Sequence, residues 1–259
     1  MLGFPPKMKI DFEKPPINEV SIGMQFPPLS SLRSEHVGLF WSRIREEFPN
    51  VTQVPPIGSV AQIPPELFPI PRFWFISKDD ATLIQIQKGG FWFNWRLRDE
   101  QYPRFESVFK AFQYYREHFT FFLKEDLRLP RLEQVRYQMT YTNIFEQVPY
   151  WTGPEDTQKI VPSFAFVESG LKDAKVRDFN STAVFQIRQD LALSISIRNG
   201  TNQITERRVL VIELDASGSF PYLETKEADD WYRQAHAAII DSFTSFTSQN
   251  IQNQYWFPK

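Results

Sequence analysis

The sequence predicts an α+β fold in which two antiparallel-sheet halves are packed by long, aromatic-rich helices. Some segments alternate apolar and polar residues with the period of a half-buried strand, and others repeat apolar residues at helical spacing. The composition is that of a folded domain, because 42% of the 259 residues are hydrophobic and 23% are charged. Aromatic residues make up 16%, with 25 Phe and 7 Trp, so large rings dominate the predicted core.

The first predicted half covers residues 1–150 and has the element order β-α-β-β-α-β of a ferredoxin-like sandwich. Its first strand is EVSIGMQF, in which alternate residues are apolar. A helix follows, with an apolar stripe from Val37 to Phe48. The next segment, 49–71, is predicted to be an irregular proline-rich excursion, because proline pairs do not fit the centre of a strand or a helix.

The remainder of this half contains strands and a second helix. RFWFISKD and TLIQIQKGGFWFNWRLR are predicted strands, with Gly89–Gly90 as a turn or bulge. Pro103 opens a helix whose apolar residues recur at helical spacing. These residues are Phe105, Val108, Phe109, Phe112, Phe119, Phe122 and Leu123. EQVRYQMTYTNIFE then alternates as a further strand.

The second predicted half covers residues 151–259 and is a β-meander with a closing helix. The turn-rich segment PYWTGPEDTQK marks the boundary before it. Its predicted strands are SFAFVE, STAVFQIRQ, LALSISIRN and RVLVIELD. Asn199–Gly200 is predicted to be a hairpin turn. The closing helix carries an apolar face from Trp231 to Phe246.

Several classes of chemistry lack their residues in this sequence. The absence of Cys excludes disulfides, a thiol nucleophile and Cys-ligated metal centres. The phosphate-binding loops G-x-x-x-x-G-K-[ST] and G-x-G-x-x-G are absent, as is the G-x-S-x-G turn of serine hydrolases. The three histidines, His36, His118 and His236, fall in different predicted helices. The sequence therefore predicts no cofactor and no metal site, and favours a protein that is not an enzyme.

Charge and hydropathy indicate the expected surroundings of the chain. The formal net charge of −2 and the pI of about 6.0 give no general attraction to nucleic acid or to an anionic membrane. The opening residues lack the apolar core of a signal peptide, and no apolar run reaches the roughly 18 residues that a spanning helix needs. We expect a cytoplasmic protein without membrane partners.

The strand GFWFNWRLR has an apolar face and a mixed aromatic and polar face. The residues predicted to face the core are Phe91, Phe93, Trp95 and Leu97, and those predicted to face outward are Trp92, Asn94, Arg96 and Arg98. RRM-like folds stack and hold single-stranded nucleic acid on such a face. The alternative is an ordinary solvated sheet face, or one covered by the second half, and the near-zero net charge favours this alternative.

Two carboxylates and a lysine form another candidate site. Asp215 ends a predicted strand, and Glu224 and Lys226 follow in an E-x-K arrangement. In a nuclease, two carboxylates hold Mg²⁺ while the lysine positions the attacking water. The tripeptide is common by chance, however, and it also fits the solvated entrance of the closing helix.

Four stretches of the chain resemble one protein family: PPINEVSIGMQF, GFWFNWRLRDEQYPRF, QMTYTNIF and WYRQAHAAIIDSFTSFTSQNIQNQYW. It is an uncharacterised, sporadically distributed prokaryotic family of about this length, and the resemblance covers nearly the whole chain. Its landmarks are Pro15-Pro16 with Glu19, Asn94 with Tyr102-Pro103, Tyr141 with Asn143, and His236 with Trp256. The resemblance carries over no activity. The patchy distribution implies horizontal transfer, and therefore a place in a mobile defence or toxin–antitoxin cassette.

His236, one of these landmarks, lies at the edge of the apolar face of the closing helix. We expect a half-buried imidazole that bonds a strand carbonyl, and the alternative is a ligand-binding role.

The sequence thus favours a non-enzymatic protein-interaction module, in which strand edges or the aromatic sheet face bind a protein partner or a second copy. Trp, Tyr and Arg are the usual anchors of such interfaces. The alternative is a metal-dependent nucleic-acid-binding protein or nuclease. A third hypothesis is a small-ligand sensor with a cavity between sheet and helices, for which the sequence indicates no residue.

Overall fold

A computed structural model describes residues 11–54, 70–98, 101–164, 176–221 and 225–259. Its strands are β1 (Ile17–Gln25), β2 (Asn50–Val54), β3 (Arg72–Ile76), β4 (Thr82–Gln87), β5 (Gly90–Arg96), β6 (Gln134–Glu146), β7 (Asn180–Arg188), β8 (Leu191–Thr201) and β9 (Arg208–Pro221). Its α-helices are α1 (Ser34–Ile44), α2 (Phe105–Glu125), α3 (Thr157–Ile160), α4 (Thr225–Phe246) and α5 (Gln249–Ile251). A short π-helix, Gln252–Trp256, follows α5.

The predicted α+β class is confirmed. The nine strands form one antiparallel sheet in the order β2-β3-β4-β5-β1-β6-β9-β8-β7, so the two predicted halves share a single sheet. The predicted order β-α-β-β-α-β is not confirmed, because four strands, β2 to β5, lie between α1 and α2 in the described part of the chain. TLIQIQ and GFWFNWR form separate strands that are joined by a turn at Lys88 and Gly89.

Two local predictions need correction. The excursion predicted over 49–71 begins with strand β2, which pairs with β3 from Asn50 opposite Ile76 to Val54 opposite Arg72; residues 55–69 lie outside the described residues. The hairpin turn predicted at Asn199–Gly200 is wrong, because both residues belong to β8. The turn lies further on, where the side-chain oxygen of Asn202 accepts a hydrogen bond from the Ile204 amide at 2.9 Å.

The strand predicted over SFAFVE lies mostly outside the described residues, since only Ser163 and Phe164 of it are described, and neither is in a strand. The other strands predicted for the second half, in STAVFQIRQ, LALSISIRN and RVLVIELD, are present as β7, β8 and β9.

The chain divides into two compact units, each made of separate stretches of sequence. Unit 1 comprises Met1–Asn18, Thr140–Ala216 and Arg233–Lys259, and unit 2 comprises Glu19–Met139 and Ser217–Tyr232. Both units are discontinuous because β1, β6, β9 and α4 each contribute to both. The division into residues 1–150 and 151–259 remains a prediction.

The core of unit 2 contains a cluster of phenylalanine rings. Phe40 of α1 is fully buried. Its ring centroid lies 5.9 Å from that of Phe75, 6.4 Å from Phe91, 6.1 Å from Phe119 and 5.5 Å from Phe122. Rings from one helix thus meet rings from two strands and from α2, and their area removed from water stabilises the unit.

Helix α2 buries the stripe that the sequence predicts. Every predicted apolar position of this helix, from Phe105 to Leu123, is buried. One charged residue, Arg116, is buried on the same helix.

Tyr232 of α4 ties this helix to strand β1 within unit 2. Its hydroxyl donates a hydrogen bond to the Gly23 carbonyl at 2.8 Å, and its ring centroid lies 5.0 Å from that of Phe112. Burial raises the pKa of Tyr232 well above its usual value. The hydroxyl therefore stays protonated and remains a donor.

The core of unit 1 is closed by Trp256 near the end of the chain. Its ring centroid lies 5.6 Å from Phe12, 6.2 Å from Phe145 and 5.2 Å from Phe243. Its indole nitrogen donates to the Tyr150 hydroxyl at 3.2 Å, so the polar edge of the ring is also satisfied. This landmark of the family resemblance therefore has a packing role.

In the described part of the chain, no helix combines the length and apolar character needed to cross a membrane.

Phe40→Ala is expected to lower the free energy of unfolding by about 3–5 kcal/mol, because the lost ring leaves a cavity among its aromatic neighbours. Leu39→Ala is the matched control, since Leu39 is exposed on the same helix and its truncation should cost less than about 0.5 kcal/mol. Urea unfolding followed by circular dichroism measures both. Equal losses for the two variants would contradict this account of the core.

Candidate functional site

The four residues of the predicted outward face lie on or just after strand β5. Trp92 stands opposite Gly23 of β1 and Gln85 of β4, and Asn94 stands opposite Ser21 and Leu83. Both Trp92 and Asn94 are buried, with Trp92 only 6% exposed. Strand β5 is thus buried on both faces as far as Trp95.

Two glycines create the slot that holds the Trp92 ring. A Cβ atom added at Gly23 would lie 2.1 Å from Cδ1 of Trp92, and one added at Gly90 would lie 2.1 Å from Cη2. The indole therefore lies against the backbone of both glycines, from its five-membered ring to its six-membered ring. Its Nε1 lies 3.4 Å from Oε1 of Gln138 in β6. This tryptophan is a packed ring, which differs from the exposed stacking platform of an RRM-like sheet.

The two arginines of the predicted face share one carboxylate. Arg96 donates to the carbonyl of Asp80 at 2.9 Å and also to its carboxylate, and Nε of Arg98 donates to the same carboxylate at 2.7 Å. Asp80 sits in the left-handed region at φ 58°, in the turn between β3 and β4. Both positive charges thus face a negative one at the end of β5, which reduces their attraction for phosphate.

The alternation predicted for this strand fails at its last residues. Leu97, predicted to face the core, is exposed, because the strand ends at Arg96. The binding roles of Trp92, Asn94, Arg96 and Arg98 remain predictions.

Glutamine side chains on neighbouring strands bond to the indoles and to each other; of these, only Gln138 was expected from the sequence, as a residue that extends the polar face of the GFWFNWRLR strand. Oε1 of Gln85 accepts a hydrogen bond from Nε1 of Trp74 at 2.9 Å. Oε1 of Gln138 accepts one from Nε2 of Gln25 at 3.0 Å. The partners are 11 and 113 residues apart in sequence, and the strand register brings each pair together.

His236 lies half-buried on α4, within unit 1. Its Nδ1 is 3.0 Å from the hydroxyl of Tyr141 in β6. Asn143, two residues further along β6, is buried and donates to the Ile212 carbonyl at 3.1 Å. Three landmarks of the family resemblance thus make contacts inside this unit, and a ligand-binding role for His236 remains a prediction.

The residues of the nuclease hypothesis are only partly described. Asp215 accepts a hydrogen bond from the Thr140 hydroxyl at 2.6 Å. Lys226 is exposed in the first turn of α4, and Glu224 lies outside the described residues. No cluster of three or more His, Asp or Glu side chains suited to a metal ion occurs in the described residues.

Among the described strands, β7 is the last one of the sheet, next to β8. All nine of its side chains are exposed, and three of them are large and apolar: Val184 is 69%, Phe185 48% and Ile187 43% exposed. Phe185 stands opposite Leu193 of β8, which is fully buried. The apolar face of the sheet is therefore buried at β8 and exposed at β7.

The sequence predicts β7 as a strand but gives no sign of its edge position. Alternation assigns residues to faces of a sheet and is silent about the order of strands.

The slot around Trp92 gives a testable coupling. Gly90→Ala is expected to lower the free energy of unfolding by about 1–3 kcal/mol, because the new methyl group overlaps the ring. In a Trp92→Ala background the same substitution should cost less than about 0.5 kcal/mol, because the ring is gone. Denaturant unfolding of the four proteins of this cycle gives the coupling.

Gly38→Ala in α1 is the matched control for this cycle, because a Cβ there meets nothing within 4 Å. It should stabilise the protein by up to about 1 kcal/mol, as expected for an exposed helical glycine. Additive costs of the Gly90 and Trp92 substitutions would show that the ring does not occupy the slot.

No protein-family model matches this chain, and no curated protein or solved structure matches it.

Proposed function

We propose that this protein is a protein-interaction module that works through strand β7, and that the strand it binds is β7 of a second copy. The observation that carries the proposal is the full exposure of this strand, including Val184, Phe185 and Ile187, at the edge of the sheet. The proposal follows the interaction hypothesis drawn from the sequence and assigns it to one edge.

An edge strand supports binding through its backbone. Alternate N–H and C=O groups of β7 pair with β8, and the others point toward the side of β7 on which the described residues place no further strand. Soluble proteins usually protect such an edge with lysine, with proline or with a very short strand. β7 is nine residues long, NSTAVFQIR, contains neither lysine nor proline, and pairs with β8 in regular register from Asn180 to Gln186, with a register shift only at its end, between Gln186 and Arg188. It therefore has the features of an edge that accepts another strand.

The apolar side chains of β7 add area to this edge. Phe185 lies beside the buried Leu193, and Val184 lies on the opposite face, opposite Ser194. A strand added beside β7 would cover apolar groups on both faces of the sheet. Burial of such side chains contributes roughly 25 cal/mol for each Å² of apolar surface removed from water.

Charge complementarity favours a second copy as the partner. Asp178 precedes the strand and Arg188 ends it, so the two ends carry opposite charges. In an antiparallel pair of β7 strands centred on Ala183, the acidic start of one strand, at Asp178, lies near the basic end of the other, at Arg188, which the register shift after Gln186 displaces by one position. A two-fold axis thus produces two complementary pairs at once. Within one copy, Arg188 pairs with Asp190, and Asp178 pairs with Arg177 and Arg208. In the dimer, these ion pairs would be shared with the second copy or replaced by ion pairs to it.

The nucleic-acid hypothesis has less support from the geometry. Its arginines on β5 are bonded to Asp80, and its tryptophan is packed against glycines. The expected place in a defence or toxin–antitoxin cassette remains a prediction.

Val184→Lys is expected to weaken self-association by about tenfold or more, because the interface would then have to desolvate an ammonium group. Ile204→Lys is the matched control, since Ile204 is an almost fully exposed apolar residue outside β7 and should be dispensable. Sedimentation equilibrium over a range of concentrations measures both variants beside the unmodified protein. A protein that stays monomeric throughout, or equal weakening by both variants, would overturn the proposal.

A further inference from the structure

A cavity of about 160 Å³ lies within unit 2 and has no lining residue from β5 or β7. Its lining comes from α2, from the segment 129–132, from β1 and β6, and from the first turn of α4. The apolar part of the lining includes Met24, Leu123, Leu132 and Tyr137. Its charged side chains are Arg116, Glu117 and Arg131.

Arg116 is the unusual member of this lining. The residue is only 6% exposed, and its guanidinium carbon lies 5.4 Å from the centre of the Phe112 ring. Nη2 donates to Oδ1 of Asp229 at 2.7 Å. Nη1 is buried and has no hydrogen-bond partner among the described residues. Buried donors are nearly always paired in folded proteins, so this nitrogen calls for an acceptor.

The ion pair with Asp229 accounts for only one side of the guanidinium. Oδ1 of Asp229 accepts from Arg116, and Oδ2 accepts from Nε2 of Gln113 at 2.6 Å. Both oxygens of the carboxylate are thus engaged, and the head group of Arg116 is held in place. An ion pair that only joins α2 to α4 accounts for the hydrogen bond of Nη2. It does not account for the burial of Nη1 without an acceptor.

We infer that this cavity binds a small monocarboxylate with an apolar body, whose carboxylate accepts a hydrogen bond from Nη1 of Arg116. Guanidinium and carboxylate groups match in geometry and form charge-assisted hydrogen bonds. The leucine, methionine and tyrosine side chains of the lining contact the apolar body.

Cavity size and charge define the ligand further. A cavity of about 150 Å³ accommodates one benzene ring, so about 160 Å³ fits a ligand of similar size. The positive charges of Arg116 and Arg131 are equal in number to the negative charges of Asp229 and Glu117. A phosphate would therefore bring two uncompensated negative charges to the cavity, whereas a carboxylate would bring one. Thr225 and Ala228 place the first turn of α4 at the cavity, and the positive end of that helix dipole also favours an anion.

The sequence indicated no residue for the small-ligand sensor hypothesis, and this inference assigns it Arg116. It is independent of self-association through β7, because the two proposals share no side chain.

Benzoate and cyclohexanecarboxylate are suitable probes, and benzyl alcohol is a control of similar size without charge. In isothermal titration with the full chain, the carboxylates should bind at least about tenfold more tightly than benzyl alcohol. The double variant Arg116→Met/Asp229→Asn removes the guanidinium without leaving its partner charged, and it should lose at least about tenfold in affinity for the carboxylates.

A matched control is Arg43→Met/Asp126→Asn, which removes another ion pair of unit 2 that does not line the cavity. It should bind the carboxylates as the unmodified protein does. In the unmodified protein, the guanidinium NMR signals of Arg116 should shift on addition of benzoate, and this readout does not require any variant to fold.

Several results would overturn the inference. These are no binding of either carboxylate, equal binding of benzyl alcohol, full affinity in the Arg116/Asp229 variant, or no shift of the Arg116 signals. Each of them would mean that the cavity holds only water or that Arg116 serves only the ion pair.

Discussion

An open antiparallel sheet must end in two edges, and the unpaired backbone groups of those edges determine what the sheet can contact. In the part of the chain that the structure describes, these edges are β2 and β7. β2 has five residues, with polar side chains at Asn50, Thr52 and Gln53. β7 has nine exposed residues, with apolar side chains near its middle. The asymmetry between the two edges is the physical basis of the proposed function, because only β7 combines length with exposed apolar area.

The centre of the sheet is organised differently from its edge. Strand β5 is flanked by β1 and β4, and both of its faces are buried as far as Trp95. Gly23 and Gly90 leave room for the Trp92 ring against the backbone. A side chain held in this way stabilises the sheet and is poorly placed to receive a flat ligand. The arginines beyond it are held by Asp80.

The features predicted correctly from the sequence are those that depend on local periodicity. The stripe of α2 and the strands that became β7, β8 and β9 follow from spacing alone. The order of strands does not, because pairing partners are chosen by contacts that are distant in sequence. The sequence places the turn at Asn199–Gly200, because this dipeptide is a common hairpin-turn signal. In the structure both residues are extended within β8, and the turn follows at Asn202.

The candidate sites follow the same pattern. The slot around Trp92 needs Gly23 from another strand, and the sharing of Asp80 by two arginines needs the turn before β4. Arg116 left a visible sign, because it interrupts the phenylalanine stripe of α2 between Phe112 and Phe119. A charged residue within an apolar stripe suggests a buried pair or a ligand. The sequence could not show Asp229 as its partner.

The most direct test of the proposed function is a charge exchange at the ends of β7, measured by sedimentation. Asp178→Arg and Arg188→Asp should each weaken self-association, because each brings like charges together where the end of one β7 strand meets the start of the other. The double variant Asp178→Arg/Arg188→Asp should restore it, because opposite charges face each other again. Failure of the double variant to recover, together with a folded monomer at every concentration, would contradict pairing through β7.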